Sequence, residues 1–203
     1  MPPARIILAS ASPRRRELLS GLGLSFDVVV PGIDERPWPR EMPASYALRN
    51  AAEKAREVAG RMGSGSDLII VAADTIVVAD DRILEKPVDT AHAADMLRRL
   101  SGRWHEVMTG LCVWHRVAGG FREQADAVRT GVRFRDVGEG EIAGYVATGE
   151  PMDKAGAYAI QGGAAGFVAE TRGSYSNVVG LPLESLRSML AACGADIPGE
   201  APR

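Results

Sequence analysis

The residues best suited to chemistry in this chain are charged groups in places where local preferences argue against them. Asp74 lies inside LIIVAADTIVVA, Leu68 to Ala79, the most apolar stretch of the sequence. An ionised carboxylate there must be paired, hydrated in a cleft or bound to a cation. The competing structural reading makes Asp74-Thr75 a turn between two shorter strands, because Asp often serves turns. Arg14, Arg15 and Arg16 follow Ser12-Pro13 and fill the first turn of a helix, where the macrodipole is already positive and acidic residues are preferred. A visiting anion resolves that conflict: backbone N–H groups at a helix start and guanidinium forks together make a phosphate site, to which Ser10 and Ser12 add hydroxyls. The alternative is a solvated basic face with Ser12-Pro13 as a cap. At least one of Arg15 and Arg16 is expected to point to solvent.

Three further residues are weak signals alone. Glu35 is a loop acid after Pro31-Gly32, and Lys54 falls at the edge of an apolar helix face, where a lysine usually snorkels. Lys86 precedes Pro87, which favours extended backbone. Together, two carboxylates, two lysines and an arginine cluster suit triphosphate chemistry assisted by a divalent cation. Hard oxygen ligands suit Mg²⁺ or Mn²⁺, which keeps waters and shares phosphate oxygens. No GxxxxGK[ST] motif is present, which argues against a P-loop nucleotidase, and His92, His105 and His115 have no metal-ligand spacing.

The elements that must hold these groups are legible from periodicity. Ile6 to Ala9 predicts a strand, Ser12-Pro13 opens a helix that Gly21 or Gly23 closes, and Phe26 to Val30 predicts a second strand. From about Ala44 to Met62 apolar residues recur on one helical face. The Leu68 to Ala79 stretch is long for one strand and reads as interrupted at Asp74-Thr75; Asp80-Asp81 then turns it into a strand over Ile83 to Lys86. A helix capped by Asp89 or Thr90 ends at Ser101-Gly102. Strands near 105 to 116 and 125 to 136 follow, the second alternating Val128, Thr130, Val132 and Phe134 with polar or small residues. A short helix at Glu141 to Ala147, a Gly-rich region from Lys154 to Gly166, a strand near Phe167 and a helix from Pro182 complete the order. Without a strict βαβ repeat, this pattern predicts an α/β fold with a mixed sheet flanked by helices.

Composition limits the partners. The chain has 203 residues, 46% of them hydrophobic, enough for a sizeable core. With 24 Lys+Arg against 26 Asp+Glu the net charge is -2, so no global field attracts nucleic acid or a membrane surface. Cys112 and Cys193 lie in apolar contexts without metal or redox spacing and are expected to be buried free thiols. The N-terminus has neither a secretory signal nor a membrane span, which points to a reducing cytoplasm. Residues 197–203 read as a flexible tail.

The blocks LASASPRRRELL, PGIDE, AAEKA, ADT, LEKP, KAGAYAIQG and GSYSNVVGLPL stand in the order and at the spacing of the Maf family, which the chain resembles over about residues 5 to 187. The resemblance implies an elongated Maf or inosine triphosphatase-like α/β structure, one domain of two lobes over residues 1–196 with a central cleft, usually paired as a homodimer. It implies that Asp74 is the proton acceptor, that Glu35 and Asp74 hold a divalent cation, and that Lys54 and Lys86 face the phosphates. Arg14, Thr75 and Gln161 match positions linked to substrate choice, with Ser10 beside them in the first block. ADT and KAGAYAIQG match the dTTP/UTP branch better than the branch resembling methylated-GTP pyrophosphatases; Ala159 departs from a common Gly. The implied activity is hydrolysis of dTTP and UTP, or of modified pyrimidine nucleotides, to the monophosphate and pyrophosphate. Residue types alone equally permit γ-phosphate removal. Whether Asp74 is base or metal ligand also stays open, since a metal lowers a carboxylate's proton affinity. A nucleotide-binding regulator of cell division and septum formation is the alternative, against which the retained Glu35, Lys54, Asp74 and Lys86 speak.

Overall fold

The structure, a computed structural model, describes residues 4–63, 67–195 and 197–198. Its elements run β1 (Arg5–Ala9), α1 (Pro13–Ser20), β2 (Asp27–Val28), α2 (Pro43–Arg61), β3 (Leu68–Ala79), β4 (Arg82–Leu84), α3 (Thr90–Leu100), β5 (Trp104–Val117), β6 (Gly120–Phe134) and α4 (Glu139–Ala147). Short 3-10 turns between Glu150 and Phe167 lead to β7 (Val168–Arg172), α5 (Tyr175–Val179) and α6 (Leu183–Ala192). The strands form a sheet in the order β2-β1-β3-β5-β6-β7, with β4 also paired to β3. The sheet is mixed, as the pattern predicted: β1 runs parallel to β2 and β3, while β4 is antiparallel to β3 and β7 to β6. Parallel neighbours need a long crossover, which α2 supplies between β1 and β3.

Two compact units divide the chain: Met1–Asp74, Thr109–Val128 and Gly180–Arg203 in the first, Thr75–Met108 and Arg129–Val179 in the second. In the first unit, strand alternation sorts the core into two layers. Ile6 and Leu8, Ile69, Val71 and Ala73, and Leu111 and Val113 pack with Leu19 of α1 and Leu186 and Leu190 of α6. The opposite residues, Ile7 and Ala9, Leu68, Ile70 and Ala72, and Cys112 and Trp114, pack with Ala51, Ala55 and Val58 of α2. The second unit is built around edge-to-face contacts of Phe134 with His105, Tyr158 and Phe167, on which Tyr145 also packs. α3 packs there against α4.

Several expectations change. β3 is one continuous strand through Asp74-Thr75, because a carboxylate partnered from a neighbouring helix does not force a turn. β2 is shorter than expected and β4 ends before Lys86. Helix α5, unanticipated, is only one turn long and starts where the Ser174 hydroxyl accepts the Asn177 amide at 3.3 Å. Cys112 is buried, but Cys193 is only half-buried at the end of α6, its sulfur accepting from the Gln124 amide. Ile197, placed in the tail, is 4% exposed and belongs to the core, since its side chain completes the layer of α1 and α6. Residues 199–203 lie outside the described residues.

Close approach of α2 to the sheet depends on small residues. Ala47, Ala51, Ala55 and Ala59 form a buried ridge at spacing four along the helix. A Cβ on Gly110 of β5 would stand 2.2 Å from the Ala47 carbonyl oxygen. Gly110→Ala must therefore displace α2 and is expected to lose about 1–3 kcal/mol in denaturant unfolding. Gly60, in the same helix but facing open space, gives the opposite sign: Gly60→Ala should gain about 0.5–1 kcal/mol.

Candidate active site

By alternation Asp74 points to the same side of β3 as Leu68, Ile70 and Ala72, the side covered by α2. Where α2 passes it, the helix presents Tyr46, Asn50 and Lys54 at spacing four, all buried. The Lys54 ammonium donates to Asp74 Oδ1 at 2.7 Å, and the Asn50 amide donates to Oδ2 at 2.9 Å. Both oxygens of a carboxylate only 5% exposed are thereby satisfied. Lys54 also pairs with Glu35 Oε2 at 3.1 Å, so one buried ammonium joins two acids. Glu35 is the open member, with 46% of its side chain exposed.

The Glu35 loop is tied to α2 from two sides. Tyr46 donates its hydroxyl to the Glu35 carbonyl at 2.9 Å. Arg49 grips Glu41 through Nε and Nη2, both at 2.8 Å, donates to the Arg36 carbonyl at 2.9 Å and lies 4.2 Å over the Trp38 ring. Arg49 Nη1 also donates to Asn50 Oδ1 at 3.3 Å. That bond orients the Asn50 amide, leaving its N–H₂ for Asp74.

The first helix adds positive charge. Ser12 caps α1 and its own amide donates to Ser10 Oγ at 3.1 Å; Ser10 is buried. Arg15 donates to the Gly180 carbonyl at 2.8 Å and to Ser10 Oγ at 3.5 Å. Burial lowers the Arg15 pKa, an effect partly offset by Asp74 and Glu35. At Asp74 burial is the largest single influence and acts upward. The Lys54 charge and hydrogen bond, the Asn50 amide and the Arg15 charge together outweigh it, holding the carboxyl below its ordinary value.

Among the residues expected to do chemistry, Glu35, Lys54 and Asp74 are brought into direct contact. Ser10 is in the same unit, joined to α1 through Ser12 and Arg15. Arg14 is half-buried in the first turn of α1, and its guanidinium makes no hydrogen bond or ion pair among the described residues. Arg16 points to solvent, as foreseen for one of the pair. In the second unit, Thr75 directly follows Asp74 on β3, while Lys86 and Gln161 are exposed. Neither of the last two has a side-chain hydrogen bond or ion pair among the described residues. Sequence reasoning passed over Asn50 and Arg49, and in the arginine cluster it did not foresee that Arg15 is the one turned inward to Gly180; the signal for Asn50 was its place between Tyr46 and Lys54 at spacing four.

The Maf-like protein family model matches residues 5–193. The chain belongs to the Maf family. Among Maf relatives, a dTTP/UTP pyrophosphatase of Anaeromyxobacter dehalogenans (strain 2CP-C) is 52% identical over 98% of both chains. A dTTP/UTP pyrophosphatase of Geobacter sulfurreducens is 52% identical over 96% of this chain and 100% of its own, and one of Escherichia coli O157:H7 is 48% identical over 92% and 91%. A solved dITP/XTP pyrophosphatase of Mycobacterium abscessus aligns with a TM-score of 0.38 and 18% identity over 64% of this chain and 74% of that one. No helix among the described residues of this Maf protein is long and apolar enough to cross a membrane.

The Asn50 hydrogen bond lowers the Asp74 pKa, so its removal raises that pKa. A depressed carboxyl pKa gives stability that is present above the unfolded value of about 3.9 and is lost as pH falls through the native value. Asn50→Ala should shrink this contribution, visible as acid unfolding that begins at higher pH than in the wild type.

Proposed function

We propose that this chain is a metal-assisted pyrophosphatase that hydrolyses dTTP and UTP to the nucleoside monophosphate and pyrophosphate. The observation that carries the reading is the buried Lys54 ammonium shared by Asp74 and Glu35, in a chain whose nearly full-length relatives bear that activity in their names. Glu35 and Asp74 are hard oxygen donors that meet on the Lys54 ammonium; with that ammonium drawn away by phosphate, the two carboxylates would suit Mg²⁺ or Mn²⁺ together with water and phosphate oxygens. When bound, such an ion neutralises triphosphate charge and polarises the reacting phosphoryl group.

The chain's own residues supply the rest. As it stands Asp74 is a weak base, because Lys54, Asn50 and Arg15 stabilise its ionised form. A triphosphate competes for the Lys54 ammonium. Drawing Lys54 toward phosphate oxygen raises the proton affinity of Asp74 at the moment a water must be deprotonated for attack on the α-phosphorus. Arg15 is already committed to Gly180 and Ser10, whereas Arg14 keeps its donors for an anion at the start of α1. By the Maf resemblance Lys86 is assigned to the phosphates, and Thr75 and Gln161 to substrate choice, Gln161 through an amide that suits a pyrimidine base edge.

Two outcomes test this. Asp74→Asn, nearly isosteric but uncharged, should fold and lose more than about tenfold in kcat with dTTP; retained turnover with pyrophosphate release would remove Asp74 from the chemistry. Wild-type activity should vanish with excess EDTA and return with Mg²⁺ or Mn²⁺, measured as pyrophosphate. Nucleotide binding without turnover in the presence of either ion would favour the regulator reading instead.

A further inference from the structure

The loop that carries Gln161 is held at both ends by two residues that no part of the proposed chemistry uses. The Ala159 amide donates to the Tyr145 hydroxyl oxygen at 3.1 Å. That hydroxyl donates to Glu150 Oε1 at 3.3 Å, and Glu150 Oε2 accepts from the Gly163 amide at 3.0 Å. One relay therefore fixes the backbone two residues before Gln161 and two residues after it. The Gln161 side chain itself is exposed and takes no part among the described residues.

The two glycines after Gln161 make room for the relay. A Cβ on Gly162 would lie 1.7 Å from Glu150 Oε1, and one on Gly163 would lie 2.9 Å from the Tyr145 ring. Their presence is explained by the carboxylate and the ring pressed against the loop. The relay is itself anchored: Tyr145 is buried edge-on against Phe167, with ring centroids 5.5 Å apart. The Thr148 hydroxyl donates to the Tyr145 carbonyl at 2.6 Å and accepts the Glu150 amide at 3.2 Å. Gly149, at φ 76°, turns the chain in the left-handed region so that Glu150 faces back toward the loop.

We infer that Tyr145 and Glu150 are positioning residues that set base discrimination by holding the Ala159–Gly163 loop, and with it Gln161, in one conformation. This rests on the dTTP/UTP reading and on Gln161 as its base contact. An amide on an exposed loop discriminates only if its backbone is fixed, since a mobile amide reaches any base edge and favours none. Loosening either end should weaken pyrimidine recognition without touching the phosphate chemistry.

The test compares wild type, Tyr145→Phe, Glu150→Gln, Gln161→Ala and the double variants of Gln161→Ala with each of the others. For dTTP, UTP, CTP and GTP, kcat and KM are measured separately, and amide hydrogen exchange is followed at Ala159 and Gly163. Tyr145→Phe removes one hydroxyl, and Glu150→Gln keeps one of two acceptor positions, so both variants should fold. Each should raise KM for dTTP and UTP by about 5- to 30-fold with kcat changed less than about twofold and a smaller effect on GTP. Exchange should quicken at Ala159 in the first and at Gly163 in the second, and neither change should cost much more in a Gln161→Ala background. An equal loss with all four nucleotides, a loss fully additive with Gln161→Ala, or unchanged exchange at both amides would overturn the inference. A wild type without preference for dTTP or UTP refutes the substrate reading before any variant is made, and the discrimination claim falls with it.

Discussion

A lysine and an aspartate cannot both be buried in an apolar layer unless each meets a partner, because the desolvation of either ion alone costs several kcal/mol. The Lys54–Asp74 pair imposes that condition on the first unit. Strand alternation turns Asp74 toward α2, the helix brings Asn50 and Lys54 to it, and the alanine ridge with Gly110 lets the helix come close enough for 2.7 and 2.9 Å hydrogen bonds. Replacing the ion pair by apolar residues of similar volume is commonly neutral or stabilising, so stability alone gives no reason to keep it. Function does.

The pair is also unbalanced in a useful way. Lys54 faces two carboxylates, one buried and one half-open, so its positive charge is already spoken for and an incoming polyanion must redistribute it. Glu35 occupies the open position on a loop fastened by Tyr46 and by the Arg49–Glu41 clamp. Arg49 connects that clamp to Asn50, so the loop acid, the amide and the buried carboxylate are set by neighbouring residues of one helix. Such prepositioned charge is what phosphoryl chemistry draws on, since it spends no reorganisation when the reaction occurs.

Much of this was legible in the sequence, for identifiable reasons. The order of strands and helices followed from periodicity and caps: Ser12-Pro13 and Asp89 start helices where read, and Thr130, Val132 and Phe134 are buried on alternate positions of β6. Asp74 stood out because a carboxylate does not belong in that run, but the expected interruption of β3 was wrong because single-strand periodicity cannot see a neutralising partner from another element. Lys54 looked like an ordinary edge lysine for the same reason. Among Arg14, Arg15 and Arg16, identical side chains one residue apart differ only in rotation about α1, which decides that Arg15 turns inward to Gly180 and Arg16 outward. Gly110 gave no signal, since a glycine in a strand reveals close approach only once the helix above it is known. Tyr145 and Glu150 stayed hidden because their role depends on a loop more than ten residues later.

The central claim is that the groups gathered around Lys54 direct water at the α-phosphorus of a pyrimidine nucleoside triphosphate. Hydrolysis of dTTP by the wild-type protein in oxygen-18 water, with the products separated and weighed by mass spectrometry, tests it most directly. The account predicts one labelled oxygen in the thymidine monophosphate and unlabelled pyrophosphate. Label in pyrophosphate, or labelled orthophosphate alongside the diphosphate, would place the attack on another phosphorus and contradict it.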